Sequence, residues 1–294
     1  MSNLVEIKKR ITSITSTIKV TKVMQMIATA KIAKIKQLIP ISEKYNNYAN
    51  EILSSYLKYS ADSDNLNKYF NEDKQDNKSV LFILMSSDKG TCGSINTTIF
   101  KEMHNLIKEY KNNSYNITIL PMGKKANKWV AENSEKLNIK KYNNPLVVDA
   151  ENCNSYAINT MLQDMVQKYD NNEYSKIVLV YHKFKNIITF NSVSEVLLPF
   201  NKEALDVKNA KFTNINEGDL EVSALIEFLI RTKVYNAYLS NLSSVVASRM
   251  NAMDNATKNG QEIIDELRIK YNKGRQASIT AELSDIVSGF EAIS

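Results

Sequence analysis

The chain has 294 residues, of which 43% are hydrophobic and 24% charged, and its net charge is +6. This composition excludes a disordered chain, and the length allows two ordinary domains or one domain with a long extended element. Cys92 and Cys153 are too few for a disulfide framework and lack metal-ligand spacing. No run approaches the roughly 18 apolar residues of a membrane span, so no direct membrane insertion is expected.

The first segment carries Ile7, Ile11, Ile14, Ile18, Thr21, Gln25, Ala28, Ile32, Ile35 and Ile39 in alternating steps of four and three. A repeat close to 3.5 is the seam of a left-handed coiled coil. Pro40 is expected to break or kink this helix, and Tyr45, Tyr48, Ile52, Tyr56 and Tyr59 suggest that it resumes. The segment is also basic, with Lys8, Lys9, Arg10, Lys19 and Lys22 among its charges and only Glu6, Glu43 and Glu51 opposing them before residue 59. A basic helix can meet nucleic acid or acidic protein. The missing aromatic interleaving and the isoleucine stripe favour a protein partner.

Residues 60–78 are rich in Asn, Asp and Ser and are expected to form a linker. Ser79–Ser86 is an apolar run of buried-strand length, followed by a loop with Asp88, Gly90 and Gly93 and a helix from about Ile95 to Tyr110. A strand at Asn116–Met122, helices from Lys124 and over Cys153–Tyr169, and a strand at Lys176–Tyr181 continue the alternation. This order predicts a largely parallel, open α/β sheet over residues 79–200, with Ile187–Pro199 as an edge strand.

A second irregular stretch spans residues 201–218. From 219 to 294 the three–four alternation returns through Leu225, Leu229, Thr232, Asn236, Leu239, Ser243, Val246, Met250, Met253, Thr257, Gly260, Ile264, Leu267, Tyr271, Gly274, Ser278 and Ala281, without a proline. Some 70 helical residues at 1.5 Å each extend on the order of 100 Å. Two terminal helices with matching stripes, 1–59 and 219–294, bury them by pairing as a long antiparallel coiled coil.

The loop Asp88–Asn96 is the most enzyme-like feature, since a glycine turn before a helix can offer N–H groups to an anion. It has neither the Lys-Ser/Thr pair of a phosphate loop nor the three-glycine dinucleotide spacing, so its glycines are expected to serve tight turns and Asp88 to act as a cap. His104 and His182 lack triad or metal spacing, and no catalytic, metal or cofactor residue is assigned. Around Gly274, Arg275 offers a forked donor, and Gln276 and Thr280 share a helix face. Spacing alone leaves a solvated stretch and a polar contact surface equally open.

At these residues the chain resembles the gamma subunit of F-type ATP synthase. Ile18-Lys-Val-Thr-Lys-Val-Met-Gln-Met-Ile-Ala-Thr-Ala-Lys31 is similar to the family's N-terminal Lys-Ile-Thr-Lys-Ala-Met motif. Ser87-Asp-Lys-Gly-Thr-Cys-Gly93 is similar to its Ser-Asp-Arg-Gly-Leu-Cys-Gly loop, and Tyr271–Leu283 with Ile286-Val-Ser-Gly289 to its terminal motif. The resemblance implies a central rotor shaft with a Rossmann-like body, itself non-catalytic, that turns inside a ring of alternating alpha and beta subunits. It further implies contacts with the epsilon subunit and the membrane c-ring, and a peripheral place on the cytoplasmic face of a bacterial inner membrane. It assigns Arg275, Gln276 and Thr280 to a beta-subunit loop, Met24, Lys19 and Lys22 to the beta-subunit lever, and Ile286, Val287 and Phe290 to an apolar bearing tip. Departures are Lys89, Thr91 and Ser94 in the body loop, and Val245 and Val246 where a charged or polar pair is usual.

Overall fold

A computed structural model describes residues 2–59, 69–70, 77–143, 151, 155–201 and 222–291. Most of the expected linkers 60–78 and 201–218 lies outside the described residues, as do Cys153 and the side chain of Phe290. The elements run α1 (Ser2–Tyr59), β1 (Ser79–Met85), α2 (Ile95–Asn112), β2 (Asn116–Met122), α3 (Lys124–Asn133), β3 (Lys140–Lys141), α4 (Ser155–Asp170), β4 (Lys176–Phe184), β5 (Phe190–Leu198) and α5 (Val222–Glu291). The chain divides into two compact units. The first comprises residues 1–30 and 249–294, the second residues 31–248.

In the first unit α1 and α5 pair along the expected stripe. Thr21 and Thr257 share a hydroxyl hydrogen bond of 2.8 Å, and Gln25 Nε2 donates to Asp254 Oδ1 at 3.0 Å. Gly260 faces Ile18 and Ile14, and Gly274 faces Leu4. Contacts descend α1 as they ascend α5, so the pair is antiparallel. Two glycines on the seam let the helices approach more closely than larger side chains would permit.

In the second unit a five-stranded sheet has the order β3-β2-β1-β4-β5. β1 pairs in parallel with β2 and β4, β2 in parallel with β3, and β4 antiparallel with β5. Val80 to Met85 are all buried, as a central parallel strand covered on both faces requires. Phe82, Leu84, Ile99, Met103, Ala126 and Val130 form part of one core cluster, with α2 and α3 on that side of the sheet. Ile158, Met161, Leu162, Met165 and Tyr169 supply the buried face of α4. Sequence periodicity does not reveal β3, because two lysines carry no apolar signal.

α1 is unbroken through Pro40. A proline inside a helix costs about 3 kcal/mol. Here its ring is exposed, and the buried face continues in phase through Ser42, Ala49, Leu53 and Tyr56. Tyr45 and Tyr48, expected to mark a resumed stripe, are instead exposed. In α5 every residue from Asn241 to Ser248 is buried, including Ser243, Ser244 and Asn241.

Candidate functional site: the body loop and the helix pair

The topology places the usual ligand crevice of a doubly wound sheet between β1 and β4, where the strand order reverses. α5 occupies this place. Asn241 Nδ2 donates to the Ser86 carbonyl at 3.4 Å, just beyond β1, and Asn241 Oδ1 accepts the His182 N–H at 3.2 Å. Ser240 and Ser244 both donate to the His182 carbonyl, and Phe184 N–H donates to Ser240 Oγ at 2.8 Å. The buried polar run of α5 thus satisfies strand-end groups that would otherwise face a cleft.

His182 is only 2% exposed. Its Nε2 lies 3.1 Å from Thr98 Oγ1 and its Nδ1 3.4 Å from Asn241 Oδ1. Burial pushes its pKa down to about 4, with the Asn241 hydrogen bond opposing the shift. His182 is therefore a neutral internal link between α2, β4 and α5. His104 stands edge-on to Trp129 at the surface.

The body loop is bonded throughout. Asp88 Oδ1 accepts the N–H of Lys124, the first residue of α3, at 3.1 Å, and Asp88 Oδ2 accepts the Glu151 N–H at 2.7 Å. The next two N–H groups of α3, from Lys125 and Ala126, donate to the Ser87 carbonyl and to Ser86 Oγ. Asn96 Nδ2 donates to Ser87 Oγ at 2.8 Å and to Cys92 Sγ at 3.2 Å. Asp88 acts as a cap, and the donors at this helix start are directed at the protein itself.

Gly93 adopts φ 60°, where glycine carries no Cβ penalty, and Thr91 is held at φ 57°. A Cβ at Gly90 would meet only the end of Lys125 at 4.0 Å, so Gly90 is not required by space. Val245 packs with Cys92, Ile95 and Phe190. An acidic residue there would be buried among apolar groups, which gives Val245 a structural reason.

On the helix pair, Lys19 and Lys22 are exposed and Met24 is half-buried. Arg275, Gln276 and Thr280 are exposed on α5, and Thr280 Oγ1 donates back to the Gln276 carbonyl at 2.9 Å. Leu4, in the first turn of α1, meets Gly274, and residues 275–291 of α5 continue past that contact for about 25 Å at the helical rise. Ile286 and Val287 lie exposed on this extension. The structure brings the terminal group together on one segment and keeps Asp88, Gly90 and Gly93 in the other unit.

Two apolar sets were missed by sequence reasoning. Ile279 and Leu283 continue the exposed line into Ile286, and Val20, Val23, Met26 and Ile27 form an exposed patch on α1. Both have three–four spacing, the signal that could have found them, but a stronger seam shares the same helices. Monomeric soluble proteins rarely leave such patches uncovered.

The ATP synthase family model matches residues 3–293. An ATP synthase gamma chain from Christiangramia forsetii is 36% identical, covering 100% of this chain and 99% of its own. The Rickettsia felis gamma chain is 35% identical, with 100% of both chains covered. Among solved structures, a chain of the Tetrahymena thermophila mitochondrial ATP synthase central stalk and c-ring is 28% identical with a TM-score of 0.58, covering 81% of this chain and 99% of that one. A chain from the Euglena gracilis mitochondrial ATP synthase, 18% identical, shares the fold with a TM-score of 0.63 over 99% of this chain and 95% of that one. Antiparallel terminal helices, a mixed central sheet and end-to-end similarity agree: the chain belongs to the ATP synthase gamma chain family.

Proposed function

We propose that this chain is the central-stalk rotor of a proton-translocating F-type ATP synthase, a subunit that does no catalysis itself. It couples c-ring rotation to conformational cycling of the catalytic beta subunits. The observation that carries this reading is the C-terminal part of α5, where Ile279, Leu283, Ile286 and Val287 are exposed beyond Gly274, the position that faces Leu4 in the first turn of α1. An exposed apolar helix end suits a sleeve made by other subunits. Phe290 is assigned to the same bearing from sequence alone.

Arg275, Gln276 and Thr280 at the base of the extension contact the beta subunit. Lys19, Lys22 and Met24 lie beside its moving lever, next to the apolar patch of Val20, Val23, Met26 and Ile27. A shaft acts by contacting the ring's conformational states unequally, because a contact equal in all states shifts no population. The body, residues 79–200 with Asp88, Gly90 and Gly93 in its loop, meets the epsilon subunit and the c-ring, and residues 201–218, all but the first outside the described residues, are matched to the family's foot by resemblance. No described helix is long and apolar enough to cross a membrane. From the family resemblance, the chain is assigned a peripheral place on the cytoplasmic face of the inner membrane, held by its partners.

The test is ATP hydrolysis by matched alpha and beta subunits, with this chain and with its Arg275→Ala/Gln276→Ala variant. One copy per ring, with weaker coupled activity or assembly in the variant, supports the reading. Assembly and activity indifferent to the chain would contradict it.

A further inference from the structure

Lys31 and Ser248 are the terminal residues of the second unit on α1 and α5, and both are tied to the same stretch of the body. The Lys31 ammonium donates to the Glu151 carboxylate at 3.4 Å and to the Glu151 carbonyl at 3.3 Å. Glu151 in turn donates its N–H to Asp88 Oδ2 at 2.7 Å, and Asp88 caps α3. On the other helix, Ser248 Oγ donates to the Cys92 carbonyl at 2.6 Å, one turn beyond Val245 packed against Cys92. The loop 88–92 therefore holds α5 directly and α1 through Glu151.

We propose that this loop is a brace that makes the body and both shaft helices turn together, with Lys31, Glu151, Asp88 and Ser248 as positioning residues for torque transfer. The inference rests on the rotor reading. The Glu151 side chain is only 9% exposed, so its pair with Lys31 is weakly screened by salt, and removing one partner leaves the other poorly solvated. The Ser248 bond is buried and short, and its loss leaves the Cys92 carbonyl without that donor. Ties to opposite ends of one loop resist twisting of either helix against the sheet. A long helix pair alone has no such grip on the body.

The experiment uses the complete rotating complex with the ring immobilised and an optical probe on the body. Angular variance of the probe is measured while the rotor is held in a catalytic dwell. Lys31→Met keeps the aliphatic stem and removes the charge, and Ser248→Ala removes the hydroxyl. Each is expected to raise the variance by up to about twofold, the upper limit for losing one of two equal ties, since Ser240, Asn241 and Ser244 also hold α5 on β4. The reversed pair Lys31→Glu/Glu151→Lys should recover part of the stiffness, which a merely destabilised fold would not do. Wild-type variance in both single variants would overturn the brace while leaving the rotor reading in place. A wild-type complex that never rotates would overturn the rotor reading itself, and the brace with it.

Discussion

Replacing each seam glycine by alanine should have opposite effects at the two positions. A Cβ at residue 260 would stand 2.8 Å from Ile18 Cγ1, 3.1 Å from its Cδ1 and 3.8 Å from Ile14 Cγ2. Unstrained carbon contacts lie at about 3.5–4.0 Å. Ile18 is β-branched and stiff at χ1, and its crowded Cγ1 is close to the main chain, so the helices themselves must move apart. Overpacking of this kind costs about 1–3 kcal/mol, while exchanging a helical glycine for alanine returns about 1 kcal/mol. Gly260→Ala is thus expected to destabilise the helix pair by about 1 kcal/mol. At residue 274 the nearest atom among the described residues is Leu4 Cδ2, also at 2.8 Å, the far end of a half-buried side chain in the first turn of α1. Leu4 can rotate away, so the propensity gain prevails and Gly274→Ala should stabilise by about 0.5–1 kcal/mol. Thermal unfolding of the full chain followed by far-ultraviolet circular dichroism reads both, as shifts of about 2 °C in opposite directions. In Gly260→Ala/Ile18→Ala the clash is gone, so the second change should cost less than in the wild type. Equal stabilisation at both glycines would refute the close approach of Ile18 to Gly260.

Three further outcomes are expected. His182 is neutral in the fold with a pKa of about 4, against about 6.5 when unfolded; the unfolded chain therefore binds the extra proton, and stability should fall as pH drops from about 6.5 to 4, by at most about 3 kcal/mol, with a flatter slope in His182→Gln on urea titration at each pH. Asp88→Ala should cost about 1–2 kcal/mol through loss of the α3 cap, read as a lower unfolding midpoint, and an unchanged midpoint would remove Asp88 from that role. Thr21→Val or Thr257→Val alone should cost about 1 kcal/mol through loss of the shared hydrogen bond, the remaining hydroxyl keeping its bond to the Ile18 or Met253 carbonyl, and the double substitution should cost less than the sum of the two, so strictly additive losses in the double-mutant cycle would contradict the pairing.

Much of the helix pair was legible because one constraint governs it: a side chain on the seam must recur every 3.5 residues, whatever its chemistry. Thr21, Gln25 and Gly260 fell into place by phase even though none is a strong hydrophobe. The same phase, carried through Pro40, would have selected Ser42, Ala49 and Leu53; counting aromatic residues selected Tyr45 and Tyr48 instead. The central strand was legible from its unbroken apolar run, and β3 was not, because lysines at a sheet edge carry no periodic signal. Ser243 fell on the stripe by phase, whereas buried Ser244 and Ser248 look like a solvent face in sequence, since they donate to the distant carbonyls of His182 and Cys92. Glu151 and Lys31 are 120 positions apart, a separation at which no local spacing rule operates. Asp88 was recognisable as a cap in kind, but its second bond, to Glu151, depends on tertiary structure.

The most direct test is to attach a probe to residues of the body, immobilise a ring of matched alpha and beta subunits assembled around this chain, and supply ATP. The rotor reading predicts sustained rotation in one direction, with dwells matching the catalytic sites of the ring, and loss of that rotation when residues 275–291 are removed. ATP turnover by the assembled ring with a stationary probe, or rotation indifferent to the loss of the α5 extension, would contradict it.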